Sequence, residues 1–102
     1  MKVIIDKRGS GKIKKLLEAA NKVSNSIILT QDKRALKVKA HSYGYENLEI
    51  IDYQDLRYDN YPLGATVFIH NGDKTLYHLL DNYFGLNVGG FTATVEDEWK
   101  KY

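Results

Sequence analysis

Apolar residues along this chain fall in two alternating patterns. Short unbroken runs come first in each cycle: Val3-Ile4-Ile5, Ser26–Thr30 around Ile27-Ile28-Leu29, Leu48–Ile51, Ala65–Ile69 and Val88–Val95. Continuous apolar runs of this length fit strands buried on both faces. Between them the spacing changes to that of helices. Ile13, Leu16, Leu17, Ala20 and Val23 form one apolar stripe, with Lys14, Lys15, Glu18 and Lys22 outside it. A second helix is expected from a cap at Asp32 to about Tyr43, stopped by Gly44. A short helical turn is expected at Gln54–Arg57. A third full helix, capped by Asp73 and ended by Gly85, carries Leu76, Leu79, Leu80, Tyr83 and Phe84.

Strands alternating with helices predict a parallel sheet. The expected fold is therefore α/β: one domain over residues 1–102, with a five-stranded, mainly parallel sheet and helices on both faces. A length of 102 residues suits one small domain and not two. Ligands in such folds gather at the carboxyl ends of strands. Those ends fall at Asp6–Gly11, Thr30–Asp32, Asp52, His70–Asp73 and Thr92–Thr94.

Charge changes this picture more than composition does. Residues 1–39 hold eleven Lys/Arg against three acids, and residues 40–102 hold four against ten. One basic face is implied, suited to phosphate or nucleic acid or simply to solvent. Lys7, Arg8, Lys14, Lys15, Lys33, Arg34, Lys37 and Lys39 would form a nucleic-acid surface. Cysteine is absent, which excludes disulfides and zinc–thiolate sites. No run reaches the roughly 18 apolar residues of a membrane span, and Met1–Gly9 lacks a signal-peptide core. A cytoplasmic protein without membrane contact is the expectation.

The segment Asp6-Lys7-Arg8-Gly9-Ser10-Gly11-Lys12-Ile13 lies between a strand and a helix. A glycine-rich turn there can wrap phosphate with backbone N–H groups, and its lysine can reach the outer phosphates. Gly9, Ser10, Gly11 and Lys12 are the candidate phosphate cradle, with Lys7 and Arg8 adding charge. The same glycines also suit a plain strand-to-helix turn.

Arg8-Gly9-Ser10-Gly11-Lys12 resembles the Walker A loop of P-loop NTPases, in particular the helicase-like ATPases of bacteriophages. Gly90-Phe91-Thr92-Ala93-Thr94 resembles the helicase motif ending in Ser/Thr-Ala-Thr, and Ala65–Asn71 stands where a Walker B strand belongs. The resemblance implies a P-loop-like sheet with the Thr92–Thr94 strand between Val3–Ile5 and Thr66–Ile69. It also implies ATP as ligand and a phage or host protein as partner.

The chain departs from the family where hydrolysis is managed. Ile13 replaces the magnesium-binding hydroxyl, Asp6 replaces the first glycine, and His70 and Asn71 replace the acidic pair. Phosphoryl transfer depends on positioning and charge stabilisation, so these losses are severe. The expected protein is a degenerate, non-motor P-loop domain that requires no cofactor and retains at most weak ATP or phosphate binding. An active NTPase with unusual metal ligation, using Asp52 as the acid, is the competing enzymatic reading. Asp52, His70, Asn71, Thr92 and Thr94 are accessory candidates.

His41, His70 and His78 lack metal-ligand spacing, and no metal site is expected. Tyr43, Tyr45, Tyr53, Tyr58 and Tyr61 crowd the middle of the chain, as packing residues or as a contact surface for bases or protein.

Overall fold

The computed structural model describes residues 11–92. Helix α1 spans Lys12–Asn21, strand β1 Ser26–Leu29, helix α2 Lys33–Ser42 and strand β2 Glu49–Ile51. Helix α3 (Tyr53–Arg57), strand β3 (Thr66–Ile69) and helix α4 (Gly72–Phe84) follow. Among the described residues the sheet has three strands in the order β2-β1-β3, all parallel. The alternation of strand and helix thus gives the parallel α/β arrangement expected of it.

Register fixes which side chains share a face. Ile28 lies beside Ile50 and Phe68, and Ile27 beside Val67. Neighbouring positions in a strand point to opposite faces. One face accordingly buries Ile28 and Ile50 against Leu17 and Ala20 of α1 and Leu36 and Ala40 of α2. The other packs Ile27, Leu29, Ile51 and Tyr53 against Leu56, Leu79 and Tyr83. Helices therefore cover both faces. Leu17 and Ala20, and Leu36 and Ala40, are the inward pairs that three- and four-residue spacing puts on one side of a helix.

Local signals explain most of the boundaries. Asp32 caps α2 by accepting from the Ala35 N–H at 3.0 Å. Gly44, at φ +84°, closes that helix. Its N–H donates to the His41 carbonyl and the Tyr45 N–H to the Ala40 carbonyl, the paired bonds of a Schellman stop. Asp52 and Asp55 form a capping box on α3.

Two expectations need correction. Asp73 does not cap α4: Asn71 holds the N-cap position at φ 50°, and Asp73 lies in the first turn, where a carboxylate still suits the helix dipole. Asparagine tolerates this left-handed backbone better than most residues. Residues 88–92, expected to open a strand at Val88–Val95, are irregular. Gly89 and Gly90 give that stretch no side chains to pack, and glycine loses the most conformational freedom when ordered. Three strands are described where five were expected. Val3–Ile5, and the remainder of Val88–Val95, lie outside the described residues.

Strand β1, between two partners, is buried along Ile27, Ile28 and Leu29. Strand β3 is an edge among the described residues, and Val67 and Ile69 remain 43% and 48% exposed. Truncation should read out this difference. Ile28→Ala is expected to cost about 2–5 kcal/mol of unfolding free energy in urea titrations. Val67→Ala should cost less than about 1 kcal/mol.

Candidate functional site

The carboxyl end of the sheet brings together residues from four elements. Strands β1 and β3 end side by side, with Leu29 paired to Ile69 and the His70 N–H donating to the Leu29 carbonyl at 3.0 Å. Thr30 follows β1 and is fully buried. Its hydroxyl meets His70 Nδ1 at 3.0 Å. The Asp32 N–H donates to the same hydroxyl oxygen at 3.4 Å. The hydroxyl can donate to Nδ1 or accept from it, according to which ring nitrogen carries the hydrogen.

A second set of bonds holds this corner from behind. Thr75 Oγ1 donates to the His70 carbonyl at 2.7 Å, and the Tyr53 hydroxyl donates to the Thr75 carbonyl. The Tyr53 ring is fixed edge-on against Tyr83, with centroids 5.7 Å apart. Burial raises the Tyr53 hydroxyl above its ordinary pKa of 10.0, so it stays a protonated donor. The network links α3 and α4 to the ends of β3 and β1.

His70 is pushed below its ordinary value of 6.5, first by burial and then by the ammonium groups of Lys12, Lys39 and Lys74. Lys12 is the first residue of α1, entered through Gly11 at φ +86°. A side chain there would be strained by the backbone alone, since that region favours glycine. The Lys12 charge thus adds to the lowering of His70 that burial begins.

The other candidates divide. Gly11 and Lys12 stand at the N-terminus of α1, while Lys7, Arg8, Gly9 and Ser10 lie outside the described residues. His70 and Asn71 end β3 as expected. Asp52 is engaged in capping: its carboxylate accepts the Asp55 N–H at 3.1 Å, which occupies the group nominated as a metal acid. Thr92 is exposed in irregular chain, and Thr94 lies outside the described residues.

The three histidines do not converge. His41 pairs with Glu46 at 2.9 Å, and His78 meets the Tyr77 ring edge-on. Among the described residues no three His, Cys, Asp or Glu side chains gather as a metal site, and no helix is long and apolar enough to cross a membrane.

Of the basic residues, Lys14, Arg34, Lys37 and Lys39 are exposed, and Lys15 is half-buried. Lys33 instead contacts Asp55 at 2.9 Å. That bond raises Lys33 and lowers Asp55 relative to their ordinary values. The tyrosines also separate. Tyr53 belongs to the core on one face of the sheet and Tyr45 packs against the core on the other, whereas Tyr43, Tyr58 and Tyr61 are exposed. A depression of about 570 Å³ runs along the outer edge of β2. Its lining mixes Lys37 and His41 with Glu46 and Glu49, and it does not include Lys12 or His70.

The sequence marks His70 as a missing acid and an accessory candidate, and Thr30 as part of a strand end. Thr75 is not marked at all, nor is the contact of Thr30 and Thr75 with His70. Buried threonines at strand and helix ends leave no periodic signal. The one available clue was Thr30 closing an otherwise apolar run.

The depressed His70 value sets a pH signature. Unfolded chain takes up the proton near 6.5, while the folded chain resists it. The contribution to stability is complete above 6.5 and is lost as pH falls from there through the lower folded value. Imidazole chemical shifts followed by NMR should place His70 below 6.5, and Thr30→Val should alter that titration.

The chain matches no protein-family model, no curated protein and no solved structure.

Proposed function

We propose that this chain is a non-motor, P-loop-like binding protein that takes a phosphate-bearing ligand at the turn into α1. The observation that carries the reading is the turn itself: Gly11, at φ +86°, leads straight into α1 with Lys12 as its first residue. Backbone N–H groups at a helix start, together with its dipole, favour an anion, and Lys12 adds a full charge. Gly9 and Ser10 would complete the cradle, with Lys7 and Arg8 beside it.

The groups that manage hydrolysis in a P-loop motor are replaced. Ile13 is half-buried against the α1-facing core, so it belongs to packing. His70 supplies no carboxylate, and Asp52 is held by α3. Binding without efficient turnover follows. The ligand would then serve to present the domain to a protein partner, which the phage-type resemblance places in a phage or its host.

A second reading has one specific support. Arg34, Lys37 and Lys39 lie exposed along α2, close enough in sequence to contact successive phosphates of a nucleic acid. Lys33 is drawn from that set by Asp55. Under this reading, affinity for single- or double-stranded DNA should fall steeply between low and moderate salt, and a flat salt dependence would exclude it.

Calorimetric titration with ATP, ADP and GTP tests the first reading. Weak binding is expected, lost at least tenfold in Lys12→Ala with the thermal midpoint unchanged. Absence of heat with all three nucleotides, or an affinity indifferent to Lys12→Ala, would overturn it.

A further inference from the structure

Strand β2 ends the sheet on one side among the described residues, in the order β2-β1-β3. Its register with β1 decides which of its backbone groups are used. The Thr30 N–H donates to the Ile51 carbonyl at 3.0 Å, so Ile51 faces β1. Successive residues of a strand direct their backbone groups to opposite edges, and Ile50 therefore turns its N–H and carbonyl away from β1. No turn or loop among the described residues takes either group. An open edge of this kind is a template for another strand.

The depression of about 570 Å³ lies along that edge, and Ile50 helps to line it. Helix α2 forms one wall. Lys33, Lys37 and His41 recur at every fourth position, make one stripe along the helix and all line the depression. Lys33 is paired to Asp55 and His41 to Glu46, each at 2.9 Å. Lys37, between them, meets no partner among the described residues, and neither does Glu49 of β2. Ile50 lies on the face of the sheet that α2 covers, packed with Leu36 and Ala40. Glu49, one residue earlier, belongs to the opposite face. The open edge thus carries an unpaired cation on one face and an unpaired carboxylate on the other.

A second copy of the chain fits this edge badly. A two-fold axis through paired β2 edges keeps each face of the sheet on its own side. Helix α2 would then lie beside its own copy, and the stripe of Lys33, Lys37 and His41 would meet itself. A segment of different sequence avoids that repulsion. We infer that the β2 edge receives an extended peptide of a partner protein as an antiparallel strand, with an acidic residue opposite Ile50 and a basic residue directly after it. The acidic residue exchanges both backbone hydrogen bonds with Ile50, and its side chain reaches toward Lys37. The next side chain points to the other face, toward Glu49. Main-chain bonds supply the affinity, and the two charges supply selectivity against a plain apolar strand. Neither Lys12 nor His70 lines this groove, so the inference stands or falls apart from the phosphate reading.

A capped synthetic peptide of about eight residues tests it, with valine and threonine alternating around a central glutamate followed by lysine. Added to the full chain and followed by NMR, it should shift the Ile50 amide and slow its hydrogen exchange. The Ile51 amide, already turned to β1, should change little. N-methylation of the peptide's glutamate, which removes the bond to the Ile50 carbonyl, should abolish binding. Lys37→Glu should weaken binding about fivefold. A peptide with lysine in place of that glutamate should show the reverse preference and bind Lys37→Glu better than the natural chain. A change in stability cannot produce that reversal.

No shift at Ile50 with the peptide at about millimolar concentration would overturn the inference. So would binding indifferent to N-methylation or to Lys37→Glu. An Ile50 amide as protected as that of Ile51 in the free chain would show the edge already covered by the chain itself, with the same consequence. A dimer whose formation protects Ile50 would assign the edge to a second copy, and shifts there caused by a DNA oligonucleotide but by no peptide would assign it to nucleic acid. Either result would overturn the inference.

Discussion

Everything in this fold depends on strand β1 being buried on both sides. It is the one described strand with a hydrogen-bonded partner at each edge, and Ile27, Ile28 and Leu29 alternate between two separate apolar clusters. Full burial of such side chains is worth roughly 1.5–3 kcal/mol each before the entropy of ordering is counted. A four-residue strand thus fixes the positions of α1 and α2 on one face and of α4 on the other. It also fixes Thr30. A residue that follows a fully buried strand without a break has little freedom, and Thr30 is held at 0% exposure beside the end of β3.

A buried hydroxyl must find a partner or forfeit about 1–3 kcal/mol. Thr30 finds His70, and the requirement then propagates. The His70 carbonyl takes the Thr75 hydroxyl, and the Thr75 carbonyl takes the Tyr53 hydroxyl. Among the described residues no buried side-chain polar atom is left without a hydrogen bond. The corner is consequently rigid for a structural reason, and its chemistry comes with that rigidity. A ring held through Nδ1 has its orientation set, and burial first, then the lysine charges, favour its neutral form.

The parts of this structure legible in the sequence are those governed by local rules. Apolar runs at Ile27–Leu29 and Ile50-Ile51, helical spacing at Leu17 and Ala20, the Asp32 cap and the Gly44 stop all act within a few residues. The errors came where a local rule had two outcomes. Asp73 has the chemistry of a cap, but Asn71 can adopt the left-handed turn two residues earlier, and the helix starts there. Val88 and Phe91 flank two glycines in a segment that reads as a strand, yet no partner strand among the described residues fixes it. The His70 corner was legible only in part. Lys12 stood out because glycines precede it. Thr30, 40 residues from His70 in the chain, is joined to it only by the pairing of β1 with β3.

The same reasoning changes the meaning of the basic N-terminal half. A surplus of eleven cations over three acids suggested one continuous face. The fold divides it instead. Lys33 is turned to Asp55 on the capped end of α3, so acids of the second half meet cations of the first. This partly buried pair consumes a charge that a nucleic acid would need. Lys12 and Lys39 act at the His70 corner, where a half-buried group feels them more strongly than solvent-exposed charges feel one another. The cations of the N-terminal half therefore do not act as one set: Lys33 is paired within the chain, while Lys12 and Lys39 add to the field that lowers His70.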